Sequence, residues 1–184
     1  MRTTSSLCFA ILFCLFFFPS CSEEQDFDQF DDLSITPAIA SSIFSVEASE
    51  DFINSVSTLS AFYTQTFVFE AFNEQFVAER LLEGNITYDF ENSTSKPINI
   101  IIEFLDEGGN VLDFESFDIA AGPGEMVSRT VDYGPNGKPL FLLTNTANLR
   151  LTGRNLGDNT SVSTEPEAKF IMKSAAEFLF QLVE

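Results

Sequence analysis

Apolar and polar residues alternate along much of the chain, which is the pattern of β-strands that bury one face. Ile86, Tyr88 and Phe90 alternate with polar neighbours and predict a half-buried strand. Residues 98–105 are apolar on nearly both faces, which favours the centre of a sheet. Pro37 suits the start of a strand or a sheet edge. Other strand-forming runs are residues 35–46, 62–69, 111–119, 127–133 and 149–154.

Two runs depart from regular alternation. The parity of the apolar residues changes within residues 111–119, so we expect a β-bulge near Ser116. The even-numbered residues of 170–182 are apolar or small, and this run exceeds the usual strand length of about 3–10 residues. We therefore expect a bend or break at Ser174-Ala175-Ala176.

Helix signals are few and short. Residues 73–82 are the best candidate, because Gly84 follows as a stop and four side chains share one helical face: Phe76, Val77, Arg80 and Leu81. Residues 50–60 are loop-like or weakly helical, and residues 140–146 form a short helix or a strand. Turns rich in glycine and asparagine separate the runs, and residues 106–110 are the clearest hairpin turn. The chain is therefore predicted to be mainly β, an antiparallel β-sandwich with one or two short helices.

Residues 1–20 have the make-up of a signal peptide. Arg2 precedes an uncharged apolar run at 7–18, which as a helix rises only about 18 Å against a membrane core of about 30 Å. Phe18-Pro19-Ser20-Cys21 resembles the lipobox of bacterial lipoproteins, although its first two residues depart from the commoner pattern. The resemblance implies cleavage before Cys21 and lipid attachment to that cysteine. An ordinary secretory signal with an incidental cysteine is the alternative.

Residues 21–32 are acidic and polar, which predicts a tether ahead of a single domain at 33–184. Ser22, Glu23 and Glu24 resemble the export signal of Bacteroidetes surface lipoproteins, which directs a protein to the outer face of the outer membrane. A plain solvated linker is one alternative. A calcium site is another, although it lacks the glycine turn and distal glutamate of an EF-hand; its ligands would be Asp26, Asp28, Asp31 and Asp32.

Four segments resemble uncharacterised outer-membrane lipoproteins of Flavobacteria: residues 26–32, 86–96, 104–112 and 155–158. The resemblance covers nearly the whole chain after residue 20. It implies an outer-membrane location and a single β-rich domain, and it implies no activity. The middle strands also resemble the sandwich of LEA14-type and immunoglobulin-like modules, in pattern rather than in a diagnostic motif.

Charge narrows the possible partners. The chain carries 28 Asp and Glu against 9 Lys and Arg, a formal net charge of −19. Such a field repels nucleic acid, so nucleic-acid binding is excluded. Arg150 and Arg154 form a basic spot on one face of a predicted strand, for which pairing with surface acids is favoured over an anionic partner. The remaining candidates are the membrane, through the N-terminal lipid, and an envelope protein or extracellular polymer.

Missing side chains exclude most catalytic chemistry. The chain has no histidine, and Cys21 is the one cysteine beyond residue 20. Histidine triads, histidine or thiolate metal sites and cysteine nucleophiles are therefore excluded. Paired carboxylates remain available, but nothing in the sequence selects a pair. We predict a non-enzymatic binding module without catalytic residues, cofactor or metal; a carboxylate-based glycan hydrolase or a calcium-dependent adhesion module is the alternative.

Overall fold

The alternating runs form strands in the computed structural model, which describes residues 36–56, 61–69, 71–72, 74–122 and 126–181. These residues all belong to one compact unit, Ser34–Glu184. Branched and aromatic side chains are frequent in the strands because they fit a pleated, half-buried surface. The strands are β1 (Ala38–Ser49), β2 (Tyr63–Val68), β3 (Leu81–Asn92), β4 (Ile98–Leu105), β5 (Val111–Ile119), β6 (Val127–Tyr133), β7 (Asn148–Asn155) and β8 (Lys169–Phe180).

The strands form two antiparallel sheets. Sheet A has the order β1-β8-β3-β6 and sheet B the order β2-β7-β4-β5. Their inward-facing side chains form one apolar core, which confirms the predicted β-sandwich. The central position predicted for residues 98–105 is also confirmed, because β4 pairs with β7 on one side and β5 on the other. Pro37 directly precedes β1, which is an edge strand as predicted.

The helices among the described residues are short: α1 (Glu50–Ser55), α2 (Gln75–Ala78) and α3 (Phe141–Thr144). Helix is thus the right alternative for residues 140–146. The helix predicted over 73–82 is wrong in extent, because α2 is a single turn and Leu81 already belongs to β3. Leu81 pairs with Phe180 and is buried, so tertiary contacts override the local helical spacing.

Gly84 does not stop a helix; it lies within β3, opposite Phe178. A Cβ atom built on Gly84 would lie 2.6 Å from Cδ1 of Phe178. The Phe178 ring therefore occupies the space that a side chain at residue 84 would need. Glycine at this position is required by a close cross-strand approach.

The bulge expected near Ser116 lies instead at Leu112. The register of β4 and β5 passes from Phe104–Asp113 to Leu105–Val111, which leaves Leu112 as the extra residue. Beyond it the odd-numbered residues face the other sheet, so Phe114 points outward and is 59% exposed. The sequence misleads here because two of the inward-facing residues are acids.

The break expected at Ser174-Ala175-Ala176 is absent, because β8 runs unbroken from Lys169 to Phe180. The irregularity is a bulge in β1, the edge strand that pairs with β8. Ser42 pairs with Ala175 and Phe44 with Ser174, which leaves Ile43 as the unpaired extra residue. β8 pairs on both sides, and a break in it would leave backbone groups unpaired toward two neighbours. The edge strand carries the bulge at lower cost.

Strand register defines two ends of the sandwich. At the proximal end the chain enters sheet A: Pro37 accepts a hydrogen bond from the Phe180 N–H at 3.1 Å, and Tyr133 pairs with Gly84. At the distal end Ser49 pairs with Lys169, and Asn92 of β3 leads through residues 93–97 into Ile98 of β4. The distal loops therefore lie at the opposite end of the sandwich from Pro37.

Candidate functional site

A buried glutamate organises the distal end. Glu50 opens α1 and is 3% exposed, although six of the ten residues that flank it in sequence are polar. Its Oε1 accepts hydrogen bonds from the N–H and hydroxyl of Ser95, both at 2.6 Å, and its Oε2 accepts from the N–H of Ser163 at 2.7 Å. One carboxylate thereby ties α1 to two loops that are distant in sequence.

A buried lysine completes this arrangement. Lys96 is 0% exposed, and its Nζ donates to Oδ1 of Asp158 at 3.1 Å and to the carbonyl of Ser161 at 2.7 Å. Asp158 is itself exposed and also accepts from the N–H groups of Thr160 and Ser161. The Lys96 ammonium therefore holds the turn at residues 158–161 through these two hydrogen bonds.

Asn92 and Thr94 anchor the loop that carries Lys96. The Asn92 amide donates to the carbonyls of Lys96 and Ala120, both at 2.8 Å, and the Thr94 hydroxyl donates to Oδ1 of Asn92 at 2.7 Å. Gly122 lies so close that a Cβ atom on it would be 1.9 Å from the Asn92 carbonyl oxygen. A side chain at residue 122 would push the β5–β6 connection off this network.

The charges of the network are set by its hydrogen bonds. Burial raises the pKa of Glu50, but hydrogen bonds from Ser95 and Ser163, helped by the Lys96 charge, outweigh it and hold the pKa below its usual value. The pKa of Asp158 is lowered strongly by hydrogen bonds from Ser161 and Thr160, and further by Lys96. Both carboxylates are therefore ionised at neutral pH. We call Glu50, Asn92, Thr94, Lys96 and Asp158 the distal polar network.

Beside this network lies a concave, acidic surface. It encloses a cavity of about 350 Å³ whose rim includes four further carboxylates and one basic residue, which pairs with one of them: Glu47, Asp51, Glu165, Glu167 and Lys169. Val162 is strongly exposed and adds an apolar side chain to the same rim. Glu167 adopts a φ of 54°, which turns the chain just before Ala168. The Ala168 carbonyl then accepts a hydrogen bond from the Glu50 N–H at 2.9 Å. We call this the distal acidic cavity.

A second polar cluster lies between the sheets at the edge formed by β5 and β6. The bulge at Leu112 turns Asp113 and Glu115 inward, where both bind Lys138, Asp113 at 2.6 Å. Burial lowers the pKa of Lys138, but the hydrogen bonds and charges of these two carboxylates outweigh it and raise the pKa. The neighbouring Tyr133 is buried, its hydroxyl has no hydrogen-bond partner among the described residues, and burial raises its pKa. One ammonium thus binds two carboxylates at this edge of the sandwich.

Two of the predicted site residues can be located. Arg150 binds Glu103 with two hydrogen bonds, at 2.6 and 2.9 Å, which confirms that it pairs with an acid. The hydrogen bond from Arg150 lowers the pKa of Glu103, and the charge of Arg154, which is exposed four residues further along β7, lowers it a little more. Cys21, the export-signal residues 22–24 and the four aspartates between residues 26 and 32 lie outside the described residues.

Sequence reasoning missed the distal polar network. One signal was available for Glu50: Ser49 precedes it and caps α1, accepting the Phe52 N–H at 3.3 Å. A cap marks where a helix begins, but it does not reveal that the next carboxylate is buried. Lys96 sits in a polar turn, where a lysine is ordinarily exposed. Its burial depends on a loop more than sixty residues away, which no local pattern encodes.

Two further properties bear on chemistry. Among the described residues, no three acidic, histidine or cysteine side chains are grouped closely enough to hold a metal ion. No helix in the same residues has the length and apolar character to cross a membrane.

Comparison with known proteins finds distant structural likeness and no relative by sequence. No protein family and no curated protein matches the sequence. Similar solved structures include the VP2 subviral particle of infectious bursal disease virus (9% identity, 82% of this chain, 33% of that chain, TM-score 0.40) and a disulfide-linked pilus of Bacillus endospore appendages (10%, 83%, 94%, 0.35). The enzymatically active domain of tailspike protein 4 of bacteriophage CBA120 is another (13%, 84%, 20%, 0.34). The chain spans about a third of the VP2 chain, and likeness at this level carries no functional conclusion.

Proposed function

We propose that the protein is a lipoprotein anchored through Cys21, facing the cell exterior from the outer membrane, whose β-sandwich is a non-enzymatic interaction module. The proposed binding role rests on one observation: buried charges at the distal end hold exposed loops in one arrangement. Loops held on a sandwich frame are the usual means by which such domains bind partners. They also face away from the end that receives the anchored segment.

The distal acidic cavity indicates the chemistry of the partner. Its exposed carboxylates greatly outnumber its one basic side chain, which is already paired with Glu47. A cationic group on an envelope protein or an extracellular polymer is therefore the ligand that fits, with Val162 available for an apolar contact. Because the loops are preordered, binding costs less conformational entropy than it would on loops that first had to order.

The location is tested by protease treatment of intact cells. The domain is expected to be cleaved without opening the outer membrane, and Cys21→Ser is expected to release it into the medium still folded. Protection until the outer membrane is opened would contradict the exterior location. Retention of the Cys21→Ser chain in the membrane would contradict anchorage through that cysteine.

The binding surface is tested by matched charge reversals. Glu165→Lys/Glu167→Lys alters the distal acidic cavity, whereas Glu83→Lys/Glu177→Lys makes the same change in net charge on the outer face of sheet A. Capture of envelope components by the purified protein is expected to be lost in the first variant and kept in the second. Equal loss in both would show an effect of net charge alone. Heat on titration with calcium, or turnover of a glycan substrate, would instead support the calcium-dependent or hydrolytic alternative.

A further inference from the structure

Each sheet of the sandwich ends in two edge strands, and three of these four edges carry features that hinder pairing with another chain. β1 follows Pro37 and carries the bulge at Ile43. β5 carries the bulge at Leu112 and three acidic side chains. β6 contains Arg129 and Asp132. Bulges, proline and charged side chains at an edge all oppose the addition of a further strand.

The fourth edge, β2, has none of these features. Its pairing with β7 is regular from Tyr63 to Val68, and it contains no proline and no charged residue. All its residues except Gln65 are aromatic or β-branched, the types that favour strands. Among the described strands none pairs with its free side, and Val68 is 70% exposed. A regular, uncharged edge of this kind is a template for a further strand.

Three residues of β2 direct their backbone groups toward the free side. Just beyond the strand, the Phe69 N–H donates to the Ala147 carbonyl at 2.8 Å. Successive residues of a strand direct their backbone groups to opposite sides, so the odd-numbered residues of β2 bond to β7. Thr64, Thr66 and Val68 therefore direct N–H and C=O away from β7. A neighbouring antiparallel strand can bind these groups without disturbing the β2–β7 pairing.

The distribution of charge favours a second copy of this chain as the occupant. The net charge is −19, so two copies repel each other over most of their surface. Residues 52–69 are all uncharged, and the adjoining strand β7 contains no acidic residue and carries Arg150 and Arg154. This side of sheet B is therefore a place at which two copies can approach each other with little repulsion.

The free side of β2 is also complementary to itself. Thr64 and Val68 lie at equal distances along the strand on either side of Thr66, so a two-fold axis at Thr66 pairs Thr66 with its own copy and Thr64 with Val68 of the second copy. Every outward N–H and C=O of the three residues then has a partner, and the exposed Val68 side chain packs against a threonine. We propose that the protein dimerises through β2 in this register, which joins the sheets B of two copies into one continuous sheet. The proposal does not depend on lipidation of Cys21 or on the distal binding surface.

Complementary charges at Thr66 test the dimer and its register together. The full chain carrying Cys21→Ser, which keeps lipid out of the measurement, is expected to show by sedimentation equilibrium a mass that rises with concentration toward twice that of one chain. Thr66→Lys and Thr66→Glu each place like charges opposite each other across the axis, so each variant alone is expected to stay monomeric. An equimolar mixture of the two is expected to regain the dimer. The matched control Ser128→Lys, at an exposed position of the edge strand β6, is expected to dimerise as the parent chain does.

Several results would overturn the proposal. A parent chain that stays monomeric at every concentration would show that β2 does not pair with a second copy. A dimer that persists in both Thr66 variants would lie elsewhere, and loss of the dimer in Ser128→Lys as well would show an effect of net charge alone. A mixture that stays monomeric would contradict the register. Circular dichroism checks that the variants fold; if they do not, slower amide exchange at Thr64, Thr66 and Val68 on concentrating the parent chain tests the contact again. Slower exchange only after addition of envelope extract would identify a strand of another protein as the occupant.

Discussion

The two ends of the sandwich are held by opposite kinds of interaction. The distal end is fixed by buried charges, since Glu50 and Lys96 each bind backbone groups of loops far away in sequence. The proximal end is held by rings: Phe72 contacts Phe69, Phe178 and Phe180, with centroid distances of 5.0–6.3 Å. Hydrogen bonds impose direction and so select one loop arrangement, whereas apolar contacts tolerate small displacements.

This difference fits the proposed binding role of the distal end. A surface that binds a partner benefits from loops of defined geometry. Substitutions that act on one end only can therefore test whether the two ends are maintained independently.

The largest effect is expected from Glu50→Ala. The substitution leaves the three donors of Ser95 and Ser163 without their buried acceptor, which costs about 3–5 kcal/mol, while the ion pair between Lys96 and Asp158 is kept. Urea denaturation measures the loss, and hydrogen exchange should show faster amide exchange at residues 93–97 and 158–163 than at the proximal strand ends.

Glu47→Ala is the matched control, because it removes the same charge from an exposed neighbour paired with Lys169. Its expected cost is under about 1 kcal/mol. If Glu47→Ala were as damaging as Glu50→Ala, loss of charge would explain the result and burial would not. Uniformly faster exchange at both ends would contradict their independence.

A smaller effect is expected from Gly84→Ala at the proximal end. The new methyl group would meet the Phe178 ring at 2.6 Å, and the ring is confined by Phe72, so the strain costs about 1–3 kcal/mol. Phe178→Leu, which frees this space, is expected to make the further addition of Gly84→Ala nearly neutral. A double-mutant cycle by urea denaturation checks this, and simple additivity would mean that the ring does not occupy the site.

The smallest effect is expected from Phe114→Ser, at most about 0.5 kcal/mol, because Phe114 faces solvent beyond the bulge at Leu112. The bulge expected from sequence near Ser116 would put Phe114 and Phe117 on the same, buried face. Phe117→Ser, which removes a ring that contacts Tyr88 and Phe90, is the comparison and should cost several times more. Similar losses in the two variants would contradict the bulge position.

Sequence patterns predicted most of the frame and little of the distal network. The bounds 98–105 and 111–119 match β4 and β5 because alternation and a glycine-asparagine turn are local signals. The bulge at Leu112 was misplaced because Asp113 and Glu115 face inward only in the presence of Lys138, a residue on another loop. Gly84 was misread for the same reason, since the ring that excludes a side chain belongs to the last strand. Whatever depends on a partner distant in sequence is invisible to local periodicity.

Both described ends of the chain meet at one point: Pro37 and Phe180 share a hydrogen bond, and β1 runs from there to Ser49 beside α1. If a partner grips the distal loops while the tether pulls at residue 36, tension passes lengthwise along β1. The backbone hydrogen bonds between β1 and β8 are perpendicular to that direction, so they are loaded together in shear rather than opened one at a time. Under the proposed anchorage, the direction of β1 therefore makes the domain resistant to force applied between residue 36 and the distal loops.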